Sequence, residues 1–445
     1  MQTVDRTFSG GPFGQDGVRW RIAFLLMLMT AVNYLDRQAM AIAIPVLQDE
    51  FGISSAGYGW ITSGFLLAYA IGQGFAGRIL DKVGTARGLA WAVVLWSIAG
   101  ILHIFGRGFL SFFFFRALLG FFEGFNFPGA MKAVSEWFPK SERALGANFV
   151  RVGTGIGALL APPLFGYLIY EFGWEAAFIV PGVIGFVWLI AWRLCYKPLE
   201  SHPSVTSLER EFILKDRIVA DDTSEKASWR ELIRHNGLKG VMIGRFLADN
   251  LMYFYLFWLP LYLANERGFS LKEIAFFAWI PFLCSDLGGL FVGWLSGKLV
   301  KMGWTLRQIR IRMLWIAGLT VPITALAVFV ENPLVALALV SFGLFANQFK
   351  TTSLFTLPTE MFPPKSVGTA WGMCGAAGSL GAMLAQPLIG MLADTYSYTP
   401  VFIIVSLLPL GAAIVVTLLL GPLRGDEVGS DNKLESSKST SAIDA

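Results

Sequence analysis

The 445-residue chain is 55% hydrophobic and only 15% charged, with a formal net charge of +4 at pH 7. That much apolar surface exceeds what one soluble domain can bury, and so small a charge excess gives no footprint for nucleic acid. Forty-eight Gly and 38 Phe suit helices that approach one another through small residues and face lipid with large ones, whereas a transmembrane barrel would show short alternating segments.

Taken in order, the chain begins with a polar segment, 1–19. Arg19 and Arg21 precede an apolar run too long for a signal peptide and without a small-residue cleavage site, which reads as a retained first helix. Apolar stretches of spanning length follow at roughly 20–48, 57–80, 88–105, 109–137, 142–170 and 174–196, and again at roughly 239–264, 271–299, 309–330, 333–360, 366–394 and 398–421. The expected fold is an all-α membrane protein of twelve transmembrane helices. The expected division is a bundle over 20–196, a cytoplasmic linker over 197–238 with short amphipathic helices, a second bundle over 239–422, and a disordered cytoplasmic tail over 423–445. Of the 35 Lys and Arg, only Arg107, Arg267 and Lys272 fall in the odd-numbered loops, so the positive-inside rule places both termini in the cytoplasm.

Internal repetition supports two halves. Gly52, Ser54, Gly72, Gly77 and Lys82 recur 216 residues later as Gly268, Ser270, Gly288, Gly293 and Lys298. Glu136-Trp137-Phe138-Pro139 matches Glu360-Met361-Phe362-Pro363, and Pro163-Leu164-Phe165-Gly166 matches Pro387-Leu388-Ile389-Gly390, both 224 residues apart. Two six-helix bundles related by a pseudo-two-fold axis are expected, with a binding site near the bilayer midplane.

The first span holds Asn33-Tyr34-Leu35-Asp36-Arg37-Gln38, an acid beside a base in an otherwise apolar run. A charge at mid-bilayer costs roughly 2.5–3.5 kcal/mol on insertion scales, which makes such a pair either a functional site or a neutralised structural pair. In the fourth span Arg116 and Glu123 lie seven residues apart, about two helical turns, and so share a face that Gly120 and Gly124 open to a neighbour. A buried Arg116 can pair with Asp36 or Glu123 and bias which of them carries a proton. The second loop reads Gly77-x-x-x-Asp81-Lys82-x-Gly84-x-x-Arg87, and its copy, Gly293-x-x-x-Gly297-Lys298, lacks the acid.

That loop spacing resembles the signature of the major facilitator superfamily, in which the motif is a gate latch. Tyr34, Asp36-Arg37, Tyr69, Arg116 with Glu123, and Ser135-Glu136-Trp137-Phe138-Pro139 are similar to the anion:cation symporter family of hexuronate, galactonate and glucarate transporters. Leu271 to Trp279 and Ser285 to Gly288 look most like its hexuronate branch. The resemblance implies that Arg37 grips a substrate carboxylate while Tyr34 and Tyr69 bond to it, and that Asp36 and Glu123 carry coupling protons with Arg116 between them.

Among other polar residues in spans, Asn250, Asn347, Gln348, Lys350 and Gln386 are either cavity-facing or bonded between helices. Lys132, Arg151, Arg245 and Lys350 are expected to snorkel to the cytoplasmic surface or to latch the halves. Asp249 and Asp286 read as structural partners more than reserve proton sites, His103 as interfacial, and Gly153, Gly155 and Gly157 as close helix packing. Cys195, Cys284 and Cys374 are far apart and suggest neither a disulfide nor a metal site, so no cofactor is expected.

The expected function is that of a monomeric, proton-coupled symporter in a bacterial inner membrane that imports an anionic sugar acid, such as galacturonate, glucuronate, an aldonate or an aldarate. The alternatives are a carrier of an aromatic carboxylate or dicarboxylate and, further off, a drug antiporter. The chain shows no nucleophile with a partner His, which argues against an enzyme.

Overall fold

The structure is a computed structural model that describes residues 17–139, 142–218, 228–362 and 364–423. The expected tail beyond Leu423, the segment before Gly17 and the charged stretch from Asp221 to Lys226 lie outside the described residues. The described residues form helices and no strands. The first half comprises Val18–Phe51 (α1), Ser55–Val83 (α2), Thr85–Leu102 (α3), Phe109–Glu123 (α4), Asn126–Trp137 (α5), Arg143–Phe172 (α6) and Ala176–Cys195 (α7). Two short helices follow, Ser207–Ile218 (α8) and Trp229–Arg234 (α9). The second half comprises Asn236–Asn265 (α10), Leu271–Phe277 (α11), Ile280–Lys301 (α12), Leu306–Thr320 (α13), Pro333–Met361 (α14), Pro364–Thr395 (α15) and Tyr398–Leu419 (α16).

Two spans are broken by proline. Pro128 in α5 and Pro281 in α12 have no N–H for the preceding turn, so the fourth span divides into α4 and α5 and the eighth into α11 and α12. Among the described residues ten helical stretches are long and apolar enough to cross a membrane. α2 and α10, with 29 and 30 residues, match them in length but carry Gln73 and Arg78, or Arg245, Asp249 and Asn250, within their apolar sequence. With these two, the helices match the twelve expected intervals one for one.

The chain divides into two compact units, Met1–Ala43 with Ala68–Asp222, and Ile44–Leu67 with Thr223–Ala445. The division runs through α1 and α2 rather than between sequence halves. Side-chain bonds explain why Ile44–Leu67 groups with the second unit. Asp394 accepts from the backbone N–H groups of Ser55 and Ala56 at 3.0 and 2.7 Å. Tyr58 donates its hydroxyl to the Phe257 carbonyl at 2.8 Å, and Ser63 donates to the Met383 carbonyl.

Repeated glycines hold equivalent places. Gly52 and Gly268 both take a left-handed backbone, φ 65° and 66°, just after a helix. Gly72 lies against the Phe121 backbone of α4 and Gly288 against the Phe345 backbone of α14, with no room for a Cβ at either. Gly153 and Gly157 of α6 pack in the same manner on Met27 and Ala31 of α1, and Gly381 of α15 on Phe246 of α10.

The interval after α7 is less solvated than its composition suggests. Glu209 of α8 is fully buried and accepts from the backbone N–H groups of Val18 and Arg19 and from the Arg19 guanidinium, at 3.2–3.3 Å. Arg19 also pairs with Glu142 at 2.9 Å. Arg19, at the head of the first span, is thus enclosed by the linker helix.

Candidate functional site

In the first unit the site is built on α1. Tyr34 and Arg37, three residues apart, share a face of that helix. The Arg37 side chain is buried, with its guanidinium carbon 4.9 Å from the Tyr34 ring centre and 4.4 Å from that of Tyr69 on α2. Both distances lie within cation–π range. Its Nε donates to Oε2 of Glu123, the last residue of α4, at 2.9 Å. The other Glu123 oxygen is buried without a hydrogen-bond partner. Tyr69 is itself held by Gln73, which donates to its hydroxyl at 3.0 Å.

The carboxylate beside Arg37 is therefore Glu123 and not the adjacent Asp36. Neighbouring residues on a helix point about 100° apart, so Asp36 and Arg37 cannot share a face. Asp36 turns toward α3, where a Cβ on Gly100 would lie 3.5 Å from its Oδ1, and its Oδ2 is buried without a hydrogen-bond partner. Arg116 also bonds the α1 backbone. Its Nη1 and Nη2 donate to the backbone carbonyls of Asp36 and Arg37, at 3.0 and 2.5 Å, which ties α4 to the α1 backbone. Asp36, Arg37, Arg116 and Glu123 are all buried, so the structure gathers Tyr34, Asp36, Arg37, Tyr69, Arg116 and Glu123 in one unit.

The polar residues around this group are bonded within the same unit. Asn126 donates to Asn33 at 3.4 Å, and Gln38 donates to the Ala158 carbonyl at 3.2 Å. His103, read as interfacial, is fully buried and stacks on Phe178 with ring centres 4.7 Å apart. Its Nδ1 lies 2.9 and 3.0 Å from the Ala99 and Gly100 carbonyls, which makes Nδ1 the protonated nitrogen and leaves Nε2 an acceptor without a partner.

The second unit holds a different polar group. Arg245 and Lys350, expected to snorkel or to latch the halves, are buried at 7% and 1% exposure and converge on Asp249. Arg245 Nε reaches Asp249 Oδ2 at 2.9 Å, and Lys350 Nζ reaches Oδ1 at 3.4 Å and the Ala248 carbonyl at 3.0 Å. The repeat offsets place Asp249 opposite Asn33 and Lys350 opposite Asn126, so an amide pair in one repeat is an ion pair in the other. Asn347, the counterpart of Glu123, is buried with neither amide atom bonded. Asn250 donates to the Phe246 and Leu247 carbonyls of its own helix, and Gln386 accepts from the Trp258 indole at 2.8 Å. Gln348 donates to Ser285 at 2.6 Å, whereas Asp286 lies on an exposed face of α12.

In the second loop Gly84 takes φ 83°, which turns the chain between α2 and α3. Asp81 pairs with Lys132 of α5 at 2.5 Å, while the Lys82 and Arg87 side chains are exposed and Gly77 has open space around it. Glu136, one turn beyond Lys132, accepts from Thr85 and Tyr196, both at 2.7 Å. Its counterpart Glu360 accepts from Arg310 at 2.6 Å. Among the described residues no three His, Cys, Asp or Glu side chains gather into a possible metal site.

The chain is 34% identical to a hexuronate transporter of Escherichia coli K12 over 91% of this chain and 94% of that one. It is 29% identical to a D-galactonate transporter of Escherichia coli O6:H1 over 91% and 96%. The fold is shared with a crystal structure of a D-xylose-proton symporter, with a TM-score of 0.73 at 15% identity over 91% of this chain and 98% of that one. The profile of the Major Facilitator Superfamily matches residues 26–360 and 302–443. With its multi-pass helices and its fold of two six-helix bundles, the chain is a membrane transporter that belongs to the major facilitator superfamily.

Proposed function

We propose that the protein imports an anionic sugar acid together with at least one proton by alternating access, as a monomer in a bacterial inner membrane with both termini in the cytoplasm. A hexuronate such as galacturonate or glucuronate is the first candidate, followed by an aldonate or an aldarate. The observation that carries the reading is the Arg37 pocket, a buried guanidinium between two tyrosine rings that pairs with Glu123, whose second oxygen is buried without a hydrogen bond. The names of the hexuronate and galactonate relatives support the substrate class.

An entering carboxylate competes with Glu123 for Arg37. Once displaced, Glu123 is a buried charge without a partner, a state costly enough that a proton neutralises it. Asp36, whose oxygen is likewise buried without a hydrogen bond, is the second proton carrier, and Arg116 keeps the two acids in place through the α1 backbone. Asn250, Asn347 and Gln386 offer amides to sugar hydroxyls, Asn347 most directly because both its polar atoms are unbonded. Gly77, Asp81, Lys82, Gly84 and Arg87 form the gating loop. Because a ligand shifts a conformational equilibrium only through differential affinity, Arg37 and the two acids must meet the solute differently in the two states.

The test is uptake of labelled galacturonate into proteoliposomes that contain only this protein. An inward proton gradient is expected to drive accumulation, and galacturonate or glucuronate to raise the melting temperature of the purified protein more than neutral hexoses do. Uptake indifferent to the gradient would reject the coupling, and a melting temperature that ranks galactose with galacturonate would reject the substrate class.

A further inference from the structure

The ion cluster of the second unit has more cation than it needs. Arg245 on α10 and Lys350 on α14 share the single carboxylate of Asp249, and among the described residues neither base forms an ion pair with another acid. Two buried bases on one acid leave a net positive charge, whose natural complement is an anion. Arg245 spends only Nε on Asp249. Its Nη1 and Nη2 make no hydrogen bond among the described residues, and neither is sealed from solvent. These two nitrogens are the prongs that receive a carboxylate in a two-bond grip.

The surroundings present that fork. The guanidinium carbon lies 4.3 Å from the Phe355 ring centre and 5.5 Å from that of Trp371, and the Trp371 indole donates to the Phe355 carbonyl at 3.1 Å. α15, which carries Trp371, also offers glycine. A Cβ on Gly378 would collide with the Asp249 carboxylate, so that glycine admits the ion pair. A Cβ on Gly375 would lie 3.9 Å from Nη1 and touch nothing else within 4 Å, and Gly372, nearly one turn earlier, has no neighbour within 4 Å. The glycine edge therefore leaves the Nη side of Arg245 open.

We propose that Arg245, braced by Asp249, Phe355 and Trp371 and backed by the charge of Lys350, is a second anion subsite, lying wholly within the second unit, that takes the carboxylate of a small organic acid. It extends the reading of the protein as a carrier of sugar acids. It does not depend on Arg37.

The partially exposed Trp371 reports on the subsite. Its emission is isolated in the full-length purified protein as the difference between wild type and Trp371→Phe, and followed during titration with galacturonate, galactose or sodium chloride. Galacturonate is expected to change this emission saturably, galactose to leave it unchanged, and chloride to need at least tenfold higher concentration. The response should vanish in Arg245→Gln and persist in Arg37→Lys. Should Arg245→Gln fail to fold, Gly375→Leu builds a side chain on the carbon that faces Nη1 and is expected to abolish the response as well. A response that survives Arg245→Gln or Gly375→Leu, or that galactose or chloride reproduces at equal concentration, overturns the subsite. Wild-type protein that accumulates galacturonate without a saturable Trp371 response overturns it too, and leaves the transport reading standing.

Discussion

Arg37 is held by three contacts at once: an ion pair at 2.9 Å and two aromatic faces within 5 Å. A lysine keeps the charge but loses the fork and the flat stacking surface. Arg37→Lys is therefore expected to weaken galacturonate binding at least tenfold, consistent with about 1.5–3 kcal/mol for a hydrogen bond to a charged group. Equilibrium binding to purified protein checks this, and an affinity within twofold of wild type would remove Arg37 from the site. The residues of this pocket were legible in the sequence because charge within an apolar run is rare and expensive. Their pairing was not. Whether Asp36 or Glu123 meets Arg37 depends on the rotation of α1 against α4, which spacing along one helix does not report. His103 shows the same limit, since a residue at a helix end is exposed or buried according to whether Phe112, Phe115 and Phe178 close around it.

At the scale of the helix, close approach decides where side chains can stand. Gly157 of α6 fits against the Ala31 carbonyl and the Tyr34 side chain, so a larger residue must push α1 away from α6. Gly157→Val is expected to cost about 1–3 kcal/mol by overpacking and, because Tyr34 moves with α1, to weaken galacturonate binding as well. A melting temperature and affinity equal to wild type would show that this crossing tolerates a Cβ. The start of α10 carries a pH term. His235 caps the helix by accepting from the Leu238 N–H at Nδ1, 3.3 Å away, and partial burial lowers its pKa from the ordinary value. The folded state thus disfavours the protonated ring, so this contribution is complete above the unfolded pKa of about 6.5 and falls away as pH drops below it. His235→Asn keeps a capping acceptor and is expected to flatten the fall in melting temperature between pH 7 and 5; an unchanged slope would discount the cap. The repeated glycines were visible in the sequence as a pattern, yet only the contacts at Phe121 and Phe345 explain why a Cβ is forbidden there.

For the whole molecule, coupling means that solute and proton must move together. Asp36→Asn and Glu123→Gln each leave a neutral, similarly sized side chain, mimicking the protonated state. Each is expected to lose accumulation driven by a proton gradient while preserving exchange of labelled for unlabelled galacturonate across proteoliposomes. Gradient-driven accumulation that survives in both variants would dismiss the two acids as proton carriers. Twelve spans were legible because lipid demands about 20 apolar residues per crossing. The compact units were not, since Tyr58, Ser63 and Asp394 join Ile44–Leu67 to the second unit through bonds between residues some 200 to 340 positions apart.

The exchange of Asn33 with Asn126 for Asp249 with Lys350 carries a lesson about inheritance. Two descendants of one duplicated segment faced the same crossing, and each filled it with a polar couple, amide in one and ionic in the other. Asp249 answers to two bases, Arg245 and Lys350, so a proton on its carboxyl strands two cations at once, whereas a proton on Glu123 releases Arg37 to the entering carboxylate. Under the proposed coupling, responsiveness to acidity then falls to the earlier copy, which keeps Glu123 where its sibling has the unchargeable Asn347.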